Sequence, residues 1–230
     1  MRTDSMRTDA IHRLEAWALM VGPAMALVFF LVEPGGMLID TADSMDSAGR
    51  ITALASNPFL AHLSALFVPL GLLLLLYGLS GVSRVTTGPD YAAAGTRFGL
   101  LSATVGGVGW ILATGLDHLL AQTKVSSAEA LGAAIPIYRT GLGLTLVSGI
   151  AVSLGLLAFS LSLAARERRG LHRTAALVIA AVSAISVAAL IIGYTTPSET
   201  MIAVGRACYF PWVIWFIMIG SRFLKAGRPA

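Results

Sequence analysis

The stretch TGLDHLLAQT at 114–123 sets Asp117 beside His118 at the end of a long apolar run. A carboxyl group next to an imidazole can take part in proton transfer or in holding a metal. A second histidine, His62, lies one turn beyond Asn57-Pro58, at the start of the preceding apolar run. Haem ligation by His62 and His118 requires them on facing helices at matching depth. A divalent metal would add a carboxylate to the same pair. Asp117 and Glu33 are the acids placed to serve as acid or base on a substrate held between the helices.

The elements that position these residues follow from composition. The chain has 230 residues, 56% hydrophobic and 12% charged, with a mean hydropathy of +0.80. A soluble domain carries about 25% charged residues, and about 20 apolar residues cover a hydrocarbon core of about 30 Å. The fold class is therefore all-α, a polytopic transmembrane bundle filling the whole chain. Six spans are expected at about 15–32, 58–81, 98–120, 141–165, 174–194 and 207–223. Asn57-Pro58 opens the second span with a proline in its first turn. Thr87-Gly88-Pro89-Asp90 is a turn cluster, and Pro197-Ser198 closes the fifth span. The first run ends in Glu33-Pro34-Gly35-Gly36 rather than in a cleavage site, so it reads as a retained span. The single cysteine, Cys208, excludes a paired-cysteine zinc or redox motif.

Lysine and arginine placement sets the expected orientation. Twelve of the sixteen fall on the side of the termini, among them Arg13, Arg84, Arg97, Arg166, Arg173 and Arg222, while Arg50, Lys124, Arg139 and Arg206 fall opposite. Both termini are thus expected in the cytoplasm. The basic charge, pI about 9.6, is dispersed among short loops rather than gathered on a nucleic-acid-binding face. The loop Arg166-Glu167-Arg168-Arg169 with His172-Arg173 would rest against anionic headgroups of the bilayer. The longest connection, about 25 residues between the first two spans, carries Asp40, Asp43 and Asp46, and connections of that length are commonly functional or disordered. DTADSMD lacks the glycine and terminal glutamate of a calcium-binding loop.

The third span shows which face points inward. Ala103, Gly107, Trp110, Thr114 and Asp117 recur at helical steps of four and three, forming one stripe that should face the bundle. His118 lies about 100° around from it. Glu33, Tyr138, Arg139, Tyr194, Glu199 and Arg206 fall at a similar depth. Their convergence would build an outward-facing polar pocket in the outer leaflet, with Arg139 or Arg206 neutralising Asp117 or Glu33, since ionisable groups at membrane depth need partners. Trp110 and Thr114 would line it. Trp212 and Trp215, with Tyr209 and Phe210, read as an interfacial aromatic belt that could equally line the pocket mouth. Nucleophile-elbow, Walker, HExxH and dinucleotide-binding motifs are absent.

The run NPFLAHLSALFVPLGLLLLLYGL, the short loop after it and the closing RFLKAG resemble uncharacterised six-span bacterial integral membrane proteins. That resemblance implies a bacterial inner-membrane location and transfers no site. Three classes stay open: a protein binding a lipophilic molecule, haem or metal; an enzyme acting on a lipid or isoprenoid by acid/base chemistry; and an accessory subunit of a membrane complex.

Overall fold

The computed structural model describes residues 2–86, 90–123, 125, 127–167 and 169–226, the side chains of 2–12 and 226 apart. The Thr87-Gly88-Pro89 turn, Lys124, Arg168 and Arg228 lie outside the described residues, as do the side chains of Arg2 and Arg7. Helices account for nearly all of the described chain: α1 Arg2–Leu31, α2 Ser47–Ser56, α3 Pro58–Val85, α4 Tyr91–Ala121, α5 Ala128–Arg166, α6 Leu171–Thr195, α7 Glu199–Ala207 and α8 Tyr209–Ala226. Among the described residues, six segments are long and apolar enough to cross a membrane. They are Arg13–Leu31, Pro58–Val85, Tyr91–Ala121, Ala128–Arg166, Leu171–Thr195 and Glu199–Lys225.

Side-chain caps explain most of the helix starts. Asp46, Asp90, Ser127 and Ser198 each accept the backbone N–H three residues on, from Gly49, Ala93, Ala130 and Met201. Each bond satisfies one of the donors a helix start leaves open. Pro58 occupies the first turn of α3, where its missing N–H costs nothing. The Ala93 N–H, followed by Arg166 at 3.1 Å, holds the exposed Asp90 carboxyl below the usual carboxylate range.

Three spans begin well before their expected starts, the third at Tyr91 rather than Phe98 because Asp90 caps it there. The fourth begins at Ala128 rather than Gly141, because the Ser127 cap starts the helix early and Pro136 is carried inside it. At 39 residues α5 is about 58 Å long and projects well beyond a hydrocarbon core. The last span is helical from Glu199 and is divided at Cys208 into α7 and α8.

The spanning helices close into a ring in the order α1, α3, α4, α5, α6, α8, with α8 returning to α1. α2 lies across α3, α4 and α5 at one end, and α7 packs on α6 at the same end. That end is called the capped end below. Glycine lets the main contacts close. A β-carbon on Gly71 of α3 would stand 2.5 Å from the Gly22 carbonyl oxygen of α1, and one on Gly155 of α5 would stand 2.7 Å from the Gly99 oxygen of α4. Small residues permit such close approach within a bilayer. Inside the ring, Leu19, Leu79, Leu156, Phe159, Trp212 and Phe216 are almost fully buried, whereas Leu66, Leu73, Leu101, Val105 and Ile185 point outward. Apolar residues on both faces are what a bundle in lipid requires.

The opposite end is tied by ion pairs between neighbouring helices. Buried Glu15 of α1 pairs with Arg84 of α3, Asp90 with Arg166, and Glu167 with Arg222.

Candidate functional site

Between the capped end and the middle of the ring lies a cavity of about 150 Å3. Its floor is apolar and aromatic: Leu72 of α3, Trp110 of α4, Leu146 of α5, Leu190 of α6, and Tyr209 and Trp212 of α8. Its rim carries Glu33 after α1, Arg50 of α2, Asp117 of α4, Tyr138 of α5 and Arg206 of α7. Five different segments thus bring charged or phenolic groups to one apolar chamber, the composition of a small-molecule site.

Local structure explains how each rim group is aimed. Arg50 sits on α2, whose Ile51 and Leu54 are fully buried in a cluster with Ala61, Leu120 and Tyr138, so the helix is seated by its own apolar face. Arg50 Nη2 is 3.6 Å from Glu33 Oε2, and the two side chains are only 7% and 13% exposed. Gly35 leaves the space its guanidinium occupies, since a β-carbon there would lie 3.0 Å from Arg50 Nη1. Gly35 also has φ +79°, a conformation open to glycine at little cost. Burial works against the Arg50 charge, but Glu33, Tyr138 and Asp117 outweigh it and hold its pKa above the ordinary value.

Tyr138 donates its hydroxyl hydrogen to the Ser44 carbonyl oxygen at 2.8 Å, and the Ser44 N–H donates to Glu199 Oε2 at 3.0 Å. Ser44 is fully buried. The long acidic connection is therefore pinned between α5 and α7 over the cavity. Asp46 is used as the α2 cap, and Asp43 accepts the Met45 N–H at 2.7 Å. Arg206 lies 3.6 Å from Glu199. Deeper down, Trp110 donates Nε1–H to the Thr145 carbonyl and Trp212 donates to Ser183 Oγ, fixing both indoles.

Of the residues singled out from sequence, Glu33, Trp110, Thr114, Asp117 and Arg206 line the cavity together. Arg139 and Tyr194 are exposed and do not line it. Tyr138 is buried, and its neighbour Arg139, about 100° further round α5, faces out. Trp212 and Trp215 are 2% and 3% exposed, core residues rather than a belt at an interface. His62 and His118 do meet, away from the cavity, with ring centroids 4.4 Å apart and planes tilted by 50°. His118 Nε2 contacts Gln122 Nε2 at 2.9 Å. A metal between two imidazoles needs a nitrogen of each at about 2.0 Å, with the ring edges pointing at it. The rings here instead pack against one another, and no group of three or more His, Cys, Asp or Glu among the described residues is placed to hold a metal ion. The pair as arranged does not fit haem or a divalent metal without separation of the rings.

The sequence marks Arg50 only as a charge opposite the termini and does not single out Ser44. The available signal was the short amphipathic segment after Asp46, with Ile51 and Leu54 one turn apart; it implies a seated helix and therefore an inward-facing arginine.

Comparison with protein-family models, with curated proteins and with solved structures finds no match to this chain.

Proposed function

We propose that the protein is a multi-pass membrane protein that binds a small amphipathic molecule in the cavity at its capped end. The polar part of the ligand meets Glu33, Arg50, Asp117, Tyr138 and Arg206, and the apolar part rests on the Trp110, Leu146 and Trp212 floor. The observation that carries this reading is the convergence of five rim groups from five segments on one apolar chamber. A structural ion-pair cluster needs no such chamber, and a packing defect would have no polar rim.

The test is retention of a bound molecule by protein purified into nanodiscs, read by native mass spectrometry. Thr114→Phe fills the chamber while giving up only an intrahelical bond from Thr114 Oγ1 to the Ile111 carbonyl. It should lower occupancy about ten-fold or more, equivalent to about 1.4 kcal/mol. An empty native protein, or equal occupancy in the variant, would count against the reading.

The lysine and arginine distribution supports cytoplasmic termini, so that the cavity opens on the other side of the membrane. The resemblance to six-span bacterial integral membrane proteins supports a bacterial inner membrane as that membrane. A cysteine at exposed position 43 should then react with an impermeant maleimide in intact cells, and one at exposed position 169 only after permeabilisation. The reverse pattern would invert the topology.

A further inference from the structure

The ion pairs around the cavity do not balance. Each guanidinium already has a carboxylate of its own, Arg50 with Glu33 and Arg206 with Glu199, both at 3.6 Å. Asp117 is left over: among the described residues it makes neither a hydrogen bond nor an ion pair, although it lines the chamber. With all five groups ionised the cluster carries one negative charge more than positive. Ionisable groups at membrane depth ordinarily find a partner.

Three of the aromatic rings that line the chamber pack against one another. Trp110 meets Tyr209 edge to face at 6.4 Å, and Tyr209 meets Trp212 in the same way at 6.1 Å. Both indole N–H groups are engaged, with the Thr145 carbonyl and with Ser183, so the rings offer the chamber π surface rather than donors. A carboxyl group with no ion pair of its own, at the rim of a chamber floored by aromatic rings, is the chemistry that recognises an organic cation, through charge at one end and cation–π attraction at the other. An anionic head would instead meet two guanidinium groups that each already face a carboxylate.

Resting on the reading of the cavity as an amphiphile site, we propose that its ligand is an organic cation, an ammonium group on an apolar body, whose charge pairs with Asp117. The occupant completes the ion-pair set of the bundle.

Two probes of the same shape separate charge from fit: benzyltrimethylammonium and its neutral carbon isostere neopentylbenzene. Binding to native protein and to Asp117→Asn in phosphatidylcholine nanodiscs is followed by tryptophan emission, to which Trp110 and Trp212 in the chamber contribute. The native protein should bind both probes saturably. Asp117→Asn should lose about ten-fold or more in affinity for the cation while keeping that for the hydrocarbon within about two-fold, which also reports an intact chamber. If the variant binds the cation as well as the native protein, loses both probes equally, or if only the hydrocarbon binds to native protein, the cation assignment is overturned and the amphiphile site stands. If neither probe binds native protein, both fall.

Discussion

Gly155→Ala is expected to destabilise the bundle by about 2–3 kcal/mol, at the upper end of overpacking costs. The added methyl group would lie 2.7 Å from both the Ala103 nitrogen and the Gly99 oxygen. Both atoms are backbone, so no rotamer change relieves the clash and α4 must move off α5. Gly143→Ala, on the same helix, meets nothing within 4 Å. It should be neutral or stabilising by up to about 1 kcal/mol, the helix preference of alanine over glycine. Reversible unfolding in mixed micelles with increasing dodecyl sulfate would measure both, and equal effects at the two positions would refute the packing argument. The separation matters for the site as well. Asp117 and Trp110 ride on α4, while Tyr138 and Leu146 ride on α5, so any widening of this contact opens the chamber between them.

The α4–α5 contact also indicates which parts of the molecule were legible in sequence. Six apolar segments each satisfy their own backbone hydrogen bonds, so their number is a local property and could be counted directly. The stripe from Ala103 to Asp117 was equally local, because steps of three and four residues fix a helix face without knowledge of its partner. In the structure Trp110, Thr114 and Asp117 line the cavity, and Gly107 faces Leu76 of α3.

Long-range information was harder to recover. Arg50 and Glu33 are separated by a connection whose turn conformation, with positive φ at Gly35 and Asp40, decides that they meet. Nothing in the spacing of the two residues encodes that meeting. Tyr138 and Arg139 both fall at pocket depth in the sequence, and only helical phase, set by the packing of α5, turns Tyr138 inward and Arg139 out. Apolar content alone starts the fourth span at Gly141, but the Ser127 cap upstream and the packing of α2 on the projecting end of α5 carry the helix through Pro136 from Ala128. For the tryptophans of α8, composition suggested an interface. Their burial depends on α8 closing the ring against α1, which only the tertiary contact reveals.

Arg50→Met carries the largest expected effect, about 3–5 kcal/mol of lost stability, the range for stripping one partner from a buried ion pair. The burial of both side chains decides against the small values of a surface pair, about 0–1 kcal/mol. Methionine matches the aliphatic length of arginine, so the cost arises from Glu33 left charged beneath α2, and not from a void. Glu33→Gln removes that charge, and the double variant should recover much of the loss. A strong coupling energy across the double-mutant cycle is therefore expected, whereas additive single effects would mean that Arg50 acts through packing on Gly35 alone. Arg50→Met should also bind benzyltrimethylammonium more tightly than the native protein, because it removes a positive charge from the rim and leaves Glu33 beside Asp117. Loss of stability together with a gain in cation affinity would separate the structural role of the Arg50–Glu33 pair from the role proposed for Asp117.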